Sequence, residues 1–363
     1  MARIATFDDW IDLFRSWLKE IGYEEARLGD YLFEAKFEDA SSAEIEFGRY
    51  AGRPRWERVA ELPNDAVREL LLKLIVYQGD TEFASVEQQR RLVATAPSPG
   101  DLESLVRVNR EEMRHGWQMA YLLVTYFGDE GRKEAEGLLQ RRADARTRLL
   151  GSFNEPVEDW LDFFAFTEFI DRDGKYQLTM LSRSAFAPLA RSMGPMLKEE
   201  AYHLLTGHMG LMRVLKAGKV PVAILQKYLN RWISTALDLF GKDASTAAQR
   251  AYEAGLKGRF DEGARPGPAD PLHLNERARS QYYEECKGLI ELLNQWGPEG
   301  QPKLRAPDLR FNRRIGQHAG QPYSVDGELL DPGEHARHRA AALPGPEDRR
   351  AVASIFAEGR WVR

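Results

Sequence analysis

The stretches VNREEMRHGWQMAYLLVTYFG (108–128) and MLKEEAYHLLTGHMG (196–210) carry one arrangement twice, Glu112 with His115 and Glu200 with His203. Each pair is three residues apart, and both members are displaced by the same interval, 200 − 112 = 88 and 203 − 115 = 88. Residues i and i+3 share a helical face, so a carboxylate and an imidazole at that spacing can grip one ion together. Two such helices facing one another hold two ions, with the other two helices of a bundle each adding a carboxylate. The pattern therefore predicts an all-α chain built on a four-helix bundle with a dinuclear metal centre.

A Glu three residues before a His arises easily by chance in a chain with seven His, so the surroundings of the pairs matter. Both lie mid-helix among Met113, Trp117, Met119, Met196 and Leu197, residues that mark a buried surface. An unpaired buried ion costs several kcal/mol, and two divalent cations would compensate all the carboxylates at once. The first bundle helix offers Glu82 near its middle and Glu87 closer to its end, which favours Glu82. On the third, Glu168 and Asp171 share a face at i and i+3, and spacing alone does not choose between them. Arg114, inside its motif, is placed to brace a further carboxylate such as Asp80 or Glu199. Carboxylate and imidazole donors without thiolate suit iron or manganese better than structural zinc. Iron is the expectation, because a ferrous pair reduces dioxygen.

Helical periodicity runs from about 7 to 23, and a less regular stretch over roughly 28–56 contains short alternating runs that read as strands. Pro63-Asn64 opens a long helix over 65–95, in which Gly79 marks a local bend. Ala96-Pro97-Ser98-Pro99 ends it, and the second bundle helix spans about 101–127. A charged connection over 129–150 leads to the third and fourth helices, about 157–183 and 185–216. Further helices are expected at 220–240, 245–257 and 274–295, with a Gly/Pro-rich loop at 262–271. The divisions are thus 1–62, an N-terminal helix and irregular segment; 63–217, the metal-binding bundle; and 218–296, additional helices packed on it. The last, 297–363, reads as mostly irregular, with a hairpin near Val325-Asp326-Gly327 and a short terminal helix.

With 363 residues, 43% of them hydrophobic and 29% charged, the chain has the composition of a globular protein with a large core. A net charge of −5 gives no electrostatic basis for nucleic-acid binding, and part of that charge belongs to the carboxylates of the metal centre. The longest apolar runs, such as 70–76, fall far short of the roughly 20 residues that span a bilayer. Lys73 interrupts that one, so no membrane association is expected. The start, MARIATFDDW, has no basic-then-apolar leader, and the single Cys286 excludes an internal disulfide framework. Both point to the cytoplasm, with Cys286 a small buried hydrophobe. The chain has no cysteine cluster for iron–sulfur and no glycine-rich dinucleotide fingerprint.

Beyond the two opening stretches, QGDTEFASVEQQRRL (78–92), FNEPVEDWLDFFAFTEFIDRDGKYQL (153–178), YLNRWISTALDLFG (228–241), GLKGRF (255–260) and RRIGQHAG (313–320) carry a family likeness. Over about Phe47 to Ile355 the chain resembles the oxygenase components of the benzoyl-CoA and phenylacetyl-CoA oxygenase group, and within it the benzoyl-CoA 2,3-epoxidase type. The resemblance implies a ferritin-like four-helix bundle with extra helices and a mostly irregular C-terminal segment. It implies two Fe ions with ligands at Glu82, Glu112, His115, Asp171, Glu200 and His203, which selects Asp171 over Glu168. It further implies an aromatic acyl-CoA substrate, O2, and a flavin/iron–sulfur reductase partner through which alone NADPH acts. The product would be a ring 2,3-epoxide still attached to coenzyme A. Gln78 falls on a family position that meets the substrate. The chain departs from the group at Glu168, where an aromatic residue stands in the relatives, and over about 260–275, where they have a longer insertion.

Phe164 and Thr167, seven and four residues before Asp171, share its helical face. Phe164 is expected to wall the ring pocket and Thr167 to act catalytically by aiding proton delivery. Arg313 and Arg314 are a candidate contact to the coenzyme A phosphates. Other readings of the same centre are oxygenation of another CoA- or carrier-bound aromatic, or of an amine. Outside that chemistry stand an iron store and a non-enzymatic, ferritin-like scaffold. The full set of six donors weighs against the scaffold, and the long appended segments against storage.

Overall fold

The computed structural model describes residues 4–264, 269–297 and 299–358. Among them the regular elements are helical, and several of the α-helices begin where a side chain can satisfy the free N–H groups of the first turn. α1 (Phe7–Glu20) opens on a capping box between Thr6 and Asp9. Asn64 caps α2 (Asp65–Gln89), and Ser98 followed by Pro99 starts α3 (Pro99–Tyr126). A turn at Gly128, with φ 59°, leads into α4 (Gly128–Gln140). Asp159 accepts from Leu161 N and Asp162 N to start α5 (Trp160–Leu181), and Gly218 in the left-handed region closes α6 (Ala187–Ala217).

α2 packs along α3 and α5 along α6, and short connections within each pair run its members antiparallel. α3 and α6 bring the pairs together, α1 and α4 cover the first pair, and α7 (Val222–Leu239) packs on α5. α8 (Thr246–Glu253) and α9 (Leu274–Leu293) follow, with α9 against α5, α6 and α7. The α5–α6 contact is close because α6 presents glycine there: a Cβ on Gly210 would stand 2.2 Å from the Phe164 ring, and one on Gly207 2.4 Å from Glu168 N. Pro195 sits inside α6 and removes the N–H that Arg191 O would accept. Glu38 N takes that carbonyl instead at 2.9 Å, tying the extended N-terminal segment to α6.

The structure corrects four expectations. The alternating runs over 28–56 form no ladder among the described residues, only isolated bridges such as Glu44 with Pro54 and Trp56 with Phe186, since each pairing stops after a single bridge. The charged connection contains α4, whose Ala135, Leu138 and Leu139 are buried toward the first helix pair while most of its charges, Glu136 excepted, are on its more exposed side. Gly79 lies within the continuous helix α2, where a Cβ would lie 2.9 Å from both Leu138 Cδ1 and Met119 Cβ, so glycine there admits α3 and α4. The helix α2 itself stops at Gln89, and 90–95 tightens into a 3₁₀ turn. After the expected hairpin, in which Tyr323 bridges Leu329, there are two helices rather than one, α10 (Pro332–Ala342) and α11 (Pro346–Ala357). Residues 265–268 of the Gly/Pro-rich loop lie outside the described residues. Among the described residues no helix is long and apolar enough to cross a membrane.

Candidate metal centre

Glu82 from α2, Glu112 and His115 from α3, Asp171 from α5, and Glu200 and His203 from α6 converge at the centre of the bundle, all buried. Two groups of donor atoms form, each within 4.8 Å: Glu82, Glu112, His115 and Glu200 in one, and Glu112, Asp171 and His203 in the other. Glu200 faces both imidazoles, with Oε1 3.5 Å from His115 Nδ1 and Oε2 3.4 Å from His203 Nδ1. Glu112 does the same at 4.0 and 3.6 Å. Glu82 stands on the His115 side alone (3.5 Å) and Asp171 on the His203 side alone (3.8 Å). The arrangement repeats the sequence offset in space: two shared carboxylates, and one terminal carboxylate for each imidazole.

Each imidazole is held from behind by a carboxylate of the opposite helix. His115 Nε2 meets Glu199 of α6 at 2.8 Å, and His203 Nε2 meets Glu111 of α3 at 3.1 Å. Such contacts place the ring proton on Nε2 and turn Nδ1, as an acceptor, toward the acidic cluster. Glu199 is gripped by the fully buried Arg114, whose Nε lies 2.7 Å from Oε2, and by Lys36 at 3.3 Å; Glu111 is met by Arg107 at 2.9 Å. Of the two partners proposed for Arg114, Glu199 is thus the one it meets; Asp80 instead pairs with buried Arg148 at 3.0 Å. Sequence reasoning misses Glu111 and finds Glu199 only as a partner of Arg114. The signal is present, because both motifs read Glu-Glu-x-x-His, with the first Glu of each one residue ahead of a proposed ligand.

The charge of the centre is unbalanced. Burial first, and then the neighbouring carboxylates, push Glu112 and Asp171 well above the ordinary carboxylate range. Burial opposes the charge on His203 and His115, yet Glu200 and Glu111 hold the former above 6.5, and Glu199 and Glu82 the latter. Protons thus stand where cations would otherwise compensate. Nδ1 of both imidazoles, Asp171 Oδ2 and Glu200 Oε2 are buried with no hydrogen-bond partner. Orphaned donor atoms of this kind, four carboxylates and two neutral-capable imidazoles around two points, fit a pair of hard-to-borderline divalent cations.

A cavity of about 220 Å³ opens on this cluster. Glu82, Glu112, Asp171 and Glu200 form its acidic end, and Ile170, Phe153, Leu181 and Leu239 are among its apolar lining. Gln78 also lines it, donating to Glu82 Oε1 at 2.6 Å. At Gly174 a Cβ would meet nothing within 4 Å, so the wall recedes there. Phe164 and Thr167 do not line it. Thr167 Oγ1 is fully buried and donates to Phe163 O at 3.0 Å, and Phe164 packs on Gly210 and Trp160. Both share the face of Asp171 but precede it along α5, whereas the cavity extends the other way, past Gly174 and Gln177. Glu168, also fully buried, turns to Arg172 (3.4 Å) and His208 (3.3 Å) rather than to the acidic cluster. Arg313 is buried and committed to Asp238 at 2.7 Å and to backbone carbonyls, which takes it away from a phosphate contact, whereas Arg314 is exposed and pairs with Glu155. Cys286 is buried, its thiol pushed up to about 12 by burial.

A four-helix bundle that converges four carboxylates and two imidazoles on its axis has the architecture of the ferritin-like proteins. Residues 58–262 match the family of phenylacetic acid catabolic proteins, and the chain belongs to that family. It is 39% identical to benzoyl-CoA oxygenase component B of Aromatoleum evansii over 359 residues, covering 86% of this chain and 75% of that protein. It is 24% identical to one of the chains of the 1,2-phenylacetyl-CoA epoxidase of Escherichia coli (strain K12) over 303 residues, covering 82% of this chain and 87% of the relative. The likeness drawn from the sequence blocks is borne out.

Proposed function

We propose that this chain is the oxygenase component of an aromatic acyl-CoA epoxidase, acting on benzoyl-CoA or a close analogue, with two iron ions held by Glu82, Glu112, His115, Asp171, Glu200 and His203. The observation that carries the reading is the direct opening of a doubled, cross-braced carboxylate–imidazole cluster onto a cavity large enough for a ring. An apolar cavity of roughly 150 Å³ already accepts benzene. The irons, when bound, would supply the activation of O2. In the balanced reaction one oxygen atom enters the ring as the 2,3-epoxide and the other leaves as water. The two electrons come from NADPH through a separate reductase, and the two protons from NADPH and the medium.

The chain's own residues orient, confine and desolvate. Glu111 and Glu199 fix the tautomer and direction of His203 and His115. Gln78 holds Glu82 on the cavity side, where its amide also faces whatever occupies the cavity. Phe153, Ile170 and Leu181 confine the ring and exclude water, which leaves the effective concentration of ring and oxidant high. Incubation with benzoyl-CoA, NADPH, O2 and a reductase of the family, followed by mass spectrometry, tests the proposal. A product heavier by one oxygen atom is expected, and an unaltered thioester alongside iron-loaded protein would overturn it.

A further inference from the structure

Among the described residues lining the cavity, Lys257 is the one cation. Its position is set by backbone. Gly258 N donates to Met180 O at the end of α5 (3.0 Å), and Ala185 N, in the α5–α6 connection, donates to Gly255 O (2.7 Å). Gly255, with φ 75°, suits the turn Gly255-Leu256-Lys257-Gly258, and a Cβ on Gly258 would lie a tight 3.1 Å from the Phe47 ring. It is clipped at one point to α5 and at another to the α5–α6 connection, with Lys257 at the cavity wall between them.

The ammonium of Lys257 donates to a neutral acceptor, Gln177 Oε1, and Gln177 Nε2 donates in turn to Asp173 Oδ1 at 2.9 Å. Two of its three donors have no protein partner among the described residues. Burial draws it down to about 8, against the pull of Asp173, which leaves it mostly charged at neutral pH. Among the described residues no carboxylate lies within ion-pair distance of Lys257, although Asp173, which also lines the cavity, acts on it electrostatically, so its remaining donors are open to a ligand acceptor. Gln177 lies six residues beyond Asp171 on α5, about 9 Å of helix axis at 1.5 Å per residue. An aromatic ring and the carbonyl attached to it, with a contact at either end, bridge that span.

We propose that Lys257 positions the substrate by donating a hydrogen bond to the thioester carbonyl of the aromatic acyl-CoA, with the ring directed toward Glu82 and Asp171. This rests on the aryl-CoA reading above and adds a specificity element: the cavity selects rings that carry a carbonyl. S-benzyl-coenzyme A, a thioether with CH2 in place of C=O, is the discriminating probe. Titration calorimetry on the purified protein should show benzoyl-CoA binding about tenfold or more tightly than the thioether, the effect of one hydrogen bond from a charged donor. Lys257→Met should remove that preference, and Lys257→Arg should keep part of it. In difference infrared spectra the 13C=O stretch of bound benzoyl-CoA should fall below that of the free thioester in the unaltered protein and recover in Lys257→Met. An unaltered protein that binds both ligands equally or leaves the stretch unshifted overturns the proposal, as does Lys257→Met with the preference intact. Failure of the unaltered protein to bind either ligand overturns the aryl-CoA reading itself.

Discussion

Glu111 and Glu199 sit one residue before the proposed ligands Glu112 and Glu200, yet each serves the imidazole of the other helix. The two differ in what else depends on them. Arg107 beside Glu111 is half exposed, whereas Arg114 beside Glu199 is fully buried. Glu111→Gln should therefore weaken iron binding by about 10- to 100-fold, the usual effect of losing such a carboxylate, with little change in thermal stability. Glu199→Gln should weaken iron to a similar degree and also destabilise the protein by about 3–5 kcal/mol, because it strands a buried guanidinium. Iron titration by colorimetric chelation and thermal melts on both variants separate the two effects. Equal melting temperatures would contradict the assignment of Arg114 to a buried pair.

At the scale of the helix, α5 does two things along one face. Before Asp171 it packs on the glycines of α6, and beyond Asp171 it walls the cavity through Gly174 and Gln177. Gly174 is within the helix and has φ in the ordinary region, so its use is the space it leaves. Gly174→Leu should raise helix propensity by somewhat under about 1 kcal/mol and leave the melting temperature unchanged or higher. Turnover of benzoyl-CoA should fall by at least about tenfold, while iron content stays at the level of the unaltered protein. Steady-state kinetics and iron analysis on one preparation check this; full activity would show that the ring does not occupy that part of the cavity. Helical spacing places Phe164 and Thr167 on the right face but the wrong side of Asp171, because periodicity specifies rotation about the axis and says nothing of which end is open.

For the whole molecule, the proton-compensated centre links metal to stability. In the metal-free protein Glu112 and Asp171 are raised above ordinary values of 4.5 and 3.8, so they bind protons more tightly folded than unfolded. Their contribution is complete below those values and is lost as pH rises toward the folded ones. His115 and His203, raised above 6.5, lose theirs in the same direction from about neutrality upward. The melting temperature of chelator-treated protein should therefore drop between pH 6 and pH 8, and ferrous ion under anaerobic conditions should flatten that drop, since cations replace the protons. Scanning calorimetry at three pH values with and without Fe2+ measures it, and a metal-free protein that gains stability with pH contradicts the charge balance inferred for the centre. Much of the architecture is legible in the chain itself. The four bundle helices, the doubled Glu-x-x-His motif and Glu82 follow from local relations, namely 3.6-residue periodicity, caps and i, i+3 spacing, which a linear sequence records directly; the choice of Asp171 over Glu168 came from the family resemblance, because both share one helical face. The helix hidden in the charged stretch 128–140 is not legible, because its short apolar stripe gains meaning only against α2 and α3. Likewise, tertiary packing alone decided that Glu111 and Glu199 cross to the opposite imidazoles, that Arg313 serves Asp238, and that Lys257 stands at the cavity wall. Each depends on the rotation and offset of one helix or turn against another, and contacts between segments far apart in the chain leave no periodic trace in it.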